Sequence, residues 1–401
     1  MSPKVRYDRG LTDGETLWRD RYDWLLEAGY VLRPRYKPGW VPSWRGTNKY
    51  ALNFEDGWMQ KLNYVLDAVR KSDGEMVMLK RVSRTVHPFE VPIGQYLCSP
   101  SLATEPRNHC CPILEVLQDP VDSDIQIVVM PLLKEHNIPP QLTIGEAVDF
   151  FRQAFEGLQF MHQHHVAHRD CMTLNIMMDP RNMYPDMFHP IAREYDRNVV
   201  GPAKHYSRTV RPTRYYWTDF GLSCQFDAND ANPLAIPIVG GDTTVPEYLE
   251  DETTPRNPFH TDVYTLGNLI REDFLQIYSN LTFMEPLVAS MVVDKPDQRI
   301  TMDEAVRQLD TIISQLPSLR LRQRLRQRED NGFIAFLREV QYAFRMFYGG
   351  LWLHPAIPRP PPPSQFEQKK TDAAGSRLRT VLATMRRRFV PVRKQRTPVA
   401  P

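Results

Sequence analysis

The chain has 401 residues, 42% apolar and 24% charged, a globular balance that excludes a wholly disordered or collagen-like polymer and allows two or three folded units. Its 35 prolines are about twice the usual share and predict many loops and extended connections. The formal net charge of +2 gives no bulk case for nucleic-acid binding, but residues 369–401 hold ten Lys/Arg and one Asp, so the remainder carries 2 − 9 = −7. In chain order, Met1 to Asp8 holds no apolar stretch of the kind a secretory leader needs. Thr12–Glu15 has capping-box spacing, and Trp18, Tyr22, Leu25 and Leu26 follow at helical intervals, predicting a short helix docked by its aromatic face. Between Arg33 and Trp44 three prolines forbid a helix and predict an extended strap pinned by Trp40 and Trp44. Val65–Arg70 and Glu75–Val82 read as strands around the turn Lys71-Ser-Asp-Gly, and Pro112–Leu117 and Ile125–Met130 as two more. From Thr143 the period changes: Thr143–Glu146 is a second capping-box match, and Val148, Phe151, Phe155 and Leu158 predict a long buried helix ending near His165. The fold class is therefore α+β, with a small β-rich lobe before a larger, mainly helical one and a cleft between them.

Two side-chain clusters have ordinary explanations. His162, His164, His165 and His168 lack a carboxylate or cysteine at zinc-ligand spacing and read as helix-end histidines. The five cysteines, at 98, 110, 111, 171 and 224, are odd in number and without framework spacing, which predicts reduced thiols and an intracellular protein, cytoplasmic or nuclear. No run approaches 18 apolar residues, and Phe333–Leu353 is interrupted by Arg338, Glu339, Gln341 and Arg345, so no transmembrane helix is predicted.

The segments that carry chemistry are His168-Arg169-Asp170 with Asn175 five residues on, Asp219-Phe220-Gly221, Pro246-Glu247, Asp262 and Arg299, preceded by a strand that ends in Lys80. In this order they resemble the protein kinase catalytic domain over about residues 60 to 315, with the two-lobed fold of that family. Arg107-Asn-His109-Cys, His168-Arg-Asp-Cys-Met, Met183–Pro190 and Arg211-Pro-Thr-Arg-Tyr-Tyr are similar to divergent kinase-like families of mushroom-forming fungi. The resemblance implies Asp170 as the carboxylate that orients an attacking hydroxyl, Asn175 and Asp219 as Mg²⁺ ligands, and ATP contacts from Lys80, Glu90, Met130 and Leu132. It also implies structural or activation-segment roles for His168, Arg169, Phe220, Gly221, Glu247, Asp262 and Arg299. Arg169 would read a phosphorylated segment, with Ser223, Thr243 and Thr244 as candidate acceptors.

Five departures stand beside the likeness. The stretch before Val65 offers only Gly57 where a Gly-rich phosphate loop is usual. Met172 and Leu174 stand where Ser/Thr or tyrosine kinases carry Lys or Arg, and Gly240 stands where a threonine usually braces the catalytic Asp. Glu90 is the candidate partner of Lys80, but Pro92 and Gly94 argue against a regular helix there, and another register puts Pro92 at the glutamate position and leaves no ion pair. Asn175 and Asp219 are 44 residues apart, so 180–213 reads as an insertion. Finally, the interval from Asp262 to Arg299 is short for a substrate-docking helix.

The domain reading is an N-terminal extension at 1–48, a small lobe at 49–133, a helical lobe at 134–318 with the 180–213 insertion, C-terminal helices at 319–354, and a Pro-rich spacer with a basic tail at 355–401. Arg320, Arg322, Arg324, Arg326 and Arg328 read as a solvated helical face. In the tail, Leu378, Val381, Leu382, Met385 and Phe389 lie at helical spacing among arginines, fitting a partner or an acidic surface. The expected function is ATP- and Mg²⁺-dependent phosphoryl transfer to a protein hydroxyl, of Ser/Thr type and slow or atypical. The alternative is a pseudokinase acting as a nucleotide-binding or scaffolding module.

Overall fold

The computed structural model describes residues 10–348 and 350–360; the basic tail lies outside them. Thr12 and Glu15 cap each other's backbone N–H groups and start α1 (Asp13–Arg19). The helical run breaks at Asp20 and resumes as α2 (Tyr22–Glu27), so the single expected helix is two. Gly29, at φ 98°, turns the chain into β1 (Tyr30–Val31). After the strap come β2 (Val65–Arg70), β3 (Met76–Ser83), α3 (Glu90–Leu97), α4 (Pro100–Ala103), β4 (Glu115–Gln118) and β5 (Ile125–Pro131). They form a five-stranded antiparallel sheet in the order β1-β2-β3-β5-β4.

The period-two alternation of the strands decides what each face does. Leu66 and Ala68, Val77 and Leu79, and Ile127 and Val129 are covered by Trp18, Leu25, Tyr30, Leu32 and Tyr36. Residues 18–36, part of the N-terminal extension, thus share one core with the sheet. Truncating Trp18 to Ala in that core costs about 3–5 kcal/mol. On the other face, Val82 and Val128 pack with Val91 of α3, and Lys80 points the same way.

The strap is held by guanidinium groups rather than by its tryptophans. Fully buried Arg35 donates to both Glu15 oxygens, at 2.7 and 2.9 Å, and to the Asp56 carbonyl. Arg33 pairs with Asp67 of β2 and with Glu55. Trp40 and Trp44 are only half-buried, with ring centroids 5.8 Å apart, and Trp40 donates to Asp56. Gly57 closes a turn in the strap: a Cβ there would lie 1.9 Å from the Ala51 carbonyl oxygen.

The helical lobe contains β6 (Lys134–Glu135), α5 (Ile144–Gln163), β7 (Val166–Ala167), β8 (Ile176–Met178), β9 (Tyr215–Trp217), β10 (Cys224–Gln225), α6 (Pro246–Glu250), α7 (Pro258–Ile270), α8 (Glu285–Met291), α9 (Met302–Gln315), α10 (Ser318–Leu321) and α11 (Gly332–Tyr348). Buried nearly all round, α5 is the central post of the largest core. Thr143 caps it, but buried Glu146 turns to Leu142 N–H and to Thr209 instead of the Thr143 N–H, so only half of the expected box forms.

Residues 180–213 lie between paired strands β8 and β9. The insertion folds back on Lys134, whose Nζ sits 4.3 Å from the Phe188 ring centre and donates to the Arg193 carbonyl. Burial pulls this lysine down to about 8. The buried His189 ring lies 3.2 Å from the Glu55 carbonyl and 3.4 Å from Arg33, so the insertion and the strap meet. Beyond α10 the arginine-rich stretch is not a helix: it runs extended, with Ile144 N–H bonded to Gln323, Leu325 N–H to Leu142 and Ser279 N–H to Arg326. Arg324 is buried, contrary to a solvated face. Among the described residues no helix is long and apolar enough to cross a membrane.

Candidate active site

β3 delivers Lys80 to the face of the sheet beside α3, and α3 is a regular helix despite Pro92. That proline occupies the first turn, where its missing N–H breaks no hydrogen bond. A Cβ on Gly94 would lie 2.6 Å from Ile113 Cδ1, so glycine lets α3 sit close to the sheet. The register that leaves Glu90 opposite Lys80 holds: Lys80 Nζ lies 2.6 Å from Glu90 Oε1 and 2.8 Å from Asp219 Oδ1. Burial alone would lower Lys80, but its two carboxylates raise it overall. Burial pushes Glu90 up, with Asp219 adding to the shift and Lys80 offsetting only part. Burial also acts upward on Asp219, but Lys80 and the Gly221 N–H hold its carboxyl below the usual range.

The second half of the site is the loop after β7. Asn175 Nδ2 donates to the Asp170 carbonyl at 2.9 Å and to its carboxylate at 2.8 Å. Thr218 N–H bonds the Asn175 carbonyl, and His168 Nε2 lies 3.0 Å from the Thr218 carbonyl. These bonds tie the Asp170–Asn175 pair to the strand that carries Asp219. Arg169 and Asp219 both have left-handed backbone, φ 68° and 62°, which costs a non-glycine residue roughly 1–2 kcal/mol. Strain of this kind persists where surrounding bonds over-determine the geometry. Buried Asp262 of α7 supplies such bonds, accepting from His168 N–H at 2.8 Å and Arg169 N–H at 2.6 Å.

Phe220 is buried against His168 and Gly94. Gly221 fills a slot in which a Cβ would lie 3.1–3.3 Å from Asp219, His87 and Glu90. Glu247 and Arg299 form a buried, two-pronged pair at 2.6 and 2.8 Å, with Thr261 completing it. Burial acts upward on the Glu247 carboxyl, but Arg299 holds it below the ordinary range. Arg169 donates to the Ile236 carbonyl of the segment between Ser223 and Pro246. Met130 is half-buried between two small apolar clusters, and Leu132 is buried in the main core. Of the candidate acceptors, Thr243 and Thr244 are exposed, whereas buried Ser223 donates to the His168 carbonyl and is not presented to a modifying enzyme.

One contact at the site was not expected from the sequence. Gly241 N–H donates to Asp170 Oδ1 at 2.7 Å. A Cβ at Gly240 would lie 2.4 Å from the same oxygen, and one at Gly241 would lie 2.3 Å from Met172 Sδ. The doublet and Met172 thus form one packing unit around the carboxylate. The only signal in the sequence was the glycine doublet itself. The clustered histidines are dispersed: His162 meets Asp262, His168 meets Thr218, and no group of His, Cys, Asp and Glu among the described residues could hold a metal by themselves.

The described chain is thus mixed α+β, with a β-sheet lobe and a helical lobe compatible with a two-lobed kinase-like fold. No family model matches it. A light-sensor protein kinase of Ceratodon purpureus is 26% identical over 204 residues, which is 46% of this chain and 14% of that protein. The chain therefore spans a small part of that relative's length.

Proposed function

We propose that the cleft binds ATP with Mg²⁺ and transfers its terminal phosphoryl group to a protein hydroxyl, of Ser/Thr type. The observation that carries this reading is the pairing of Lys80 with both Glu90 and Asp219, while Asn175 grips Asp170 one hydrogen bond away. The donor set fits the group. Asn175 uses its amide nitrogen on Asp170, which leaves its oxygen for a ligand, and Asp219 is 45% exposed at its side chain. Hard oxygen donors of this kind suit Mg²⁺, which when bound would neutralise charge on the phosphates. Lys80 would add a point charge on the phosphates, and Asp170 would orient and accept the proton of the acceptor hydroxyl.

Without a lysine or threonine at the Asp170 carboxylate, the Gly241 amide on Oδ1 and the Asn175 amide on Oδ2 are the groups that orient it. An amide donor does not carry the positive charge of a lysine, so transfer should be slow. Radiolabel transfer from ATP to a generic protein substrate should vanish in Asp170→Ala with nucleotide binding intact; label that persists in that variant would remove Asp170 from its role. A specific observation favours the second reading, a pseudokinase. β1 and β2 are joined by the long strap through residues 32–64, not by a glycine-rich hairpin over the phosphates. Nucleotide binding with no transfer to any acceptor would decide for it. Partner binding through 369–401 remains part of the proposal.

A further inference from the structure

The alternating arginines beyond α10 and the facing side of α11 enclose a cavity of about 190 Å³. Arg324, Arg338, Arg345, Gln327, Gln341 and Tyr342 line it, and no carboxylate does. Two acidic groups stand nearby. Asp330 lies 2.5 Å from Arg338 and 3.5 Å from Arg324, and Glu339 lies 3.1 Å from Arg326 and 3.7 Å from Arg324. Three guanidinium groups, at 324, 338 and 345, thus line the cavity beside two carboxylates, an excess of 3 − 2 = +1. Arg345 makes no salt bridge among the described residues and is exposed at the cavity mouth. Arg324, by contrast, is 7% exposed, so its charge is built into the wall.

Arg324 is paired with Asp330, but its buried Nε has no hydrogen-bond partner among the described residues, a cost that an anion in the cavity would offset. Planar forks with amide donors beside them match tetrahedral oxyanions that accept several hydrogen bonds at once. We propose that this cavity binds a phosphate-monoester dianion. Its three terminal oxygens can accept from several of the Arg324, Arg338 and Arg345 forks and the Gln327 and Gln341 amides at once, more than the two oxygens of a carboxylate. The cavity has room for one phosphoryl group and its nearest attached atoms. The site is lined by residues 140–142 ahead of α5, by Tyr278, by the segment beyond α10 and by α11, and does not depend on the reading of the cleft.

The test is calorimetric titration of the full chain carrying Lys80→Met, which removes the phosphate-facing amine of the cleft. The probes are O-phospho-L-serine and inorganic phosphate, with L-serine as the control. Saturable binding of a phosphate probe, absent for L-serine and about tenfold or more weaker in Arg345→Gln, is the expected result. Arg345→Lys keeps the charge without the fork and should fall between the two. Tighter binding of phosphoserine than of phosphate would identify a phosphorylated residue as the source; equal binding would identify the free ion. Absence of saturation, or equal affinity in Arg345→Gln with an unchanged melting midpoint, would overturn the proposal.

Discussion

Gly240→Ala puts the smallest possible obstacle next to the proposed base. The added Cβ would lie 2.4 Å from Asp170 Oδ1, 3.1 Å from its Cγ and 3.2 Å from the Arg169 carbonyl oxygen. None of these is the far end of a flexible side chain, because Asp170 is gripped by Asn175 and the Arg169 backbone by Asp262. The segment carrying Gly241 must therefore retreat, and its 2.7 Å hydrogen bond to Asp170 is lost. A hydrogen bond to a charged group contributes about 1.5–3 kcal/mol. If that bond orients Asp170 in the transition state, turnover falls about 10- to 150-fold. Lys80, Glu90 and Asp219 are not touched, so nucleotide affinity should stay within about twofold. Steady-state phosphoryl transfer and calorimetric ATP titration on the same preparation separate the two. Unchanged turnover, or a parallel fall in nucleotide affinity, would refute the assignment of Gly241 as a group that orients Asp170.

Removing one partner of the buried Glu247–Arg299 pair, as in Arg299→Met, should cost about 3–5 kcal/mol in denaturant unfolding, and Glu247→Gln with Arg299→Met together should recover part of it. Because Glu247 is held below its ordinary 4.5 in the folded protein, its contribution is present above that pH and lost as pH falls through the depressed value. Arg299→Met should therefore flatten the acid limb of the stability curve below about pH 4.5, and an unchanged limb would contradict the pairing. His189→Ala should free the part-buried Ile191 and buried Ala192 N–H groups that now donate to its ring, costing about 1–3 kcal/mol. It should also raise hydrogen exchange in 33–58; exchange raised only in the insertion would show that the strap does not depend on the contact. Lys80→Met should abolish nucleotide-induced stabilisation while leaving the fold intact by circular dichroism.

What could be read in advance was whatever local period and spacing encode. Strands expected at 65–70 and 75–82, found at 65–70 and 76–83, and the Thr143-capped helix follow from patterns a few residues long, whereas a shared cleft for Lys80 and Asp219 was implied by the kinase resemblance. The pairing of Glu90 was left open because Pro92 argues against a helix, yet proline is tolerated in a first turn. The strap was assigned to its tryptophans because bulk is visible in a sequence, whereas the partners of Arg33 and Arg35 come from Asp67 and Glu15, distant in the chain. Arg320 lies in α10, but the arginines from 322 to 328 recur every second residue, which is the period of extended chain, and reading them as a helical face overlooked it. Ser223 was offered as an acceptor on its place in the segment, and only the fold reveals that its hydroxyl is spent on His168.

The central claim is that Lys80, Asp170, Asn175 and Asp219 together make a metal-dependent nucleotide site. Thermal unfolding of the native chain and of Asp219→Ala, each titrated with ATP with and without Mg²⁺, tests it most directly. The account predicts stabilisation of the native chain only with both ATP and Mg²⁺, reaching about 2.7 kcal/mol at a hundredfold excess over Kd, and none in Asp219→Ala. Stabilisation independent of Mg²⁺, or equal in the two proteins, would contradict it.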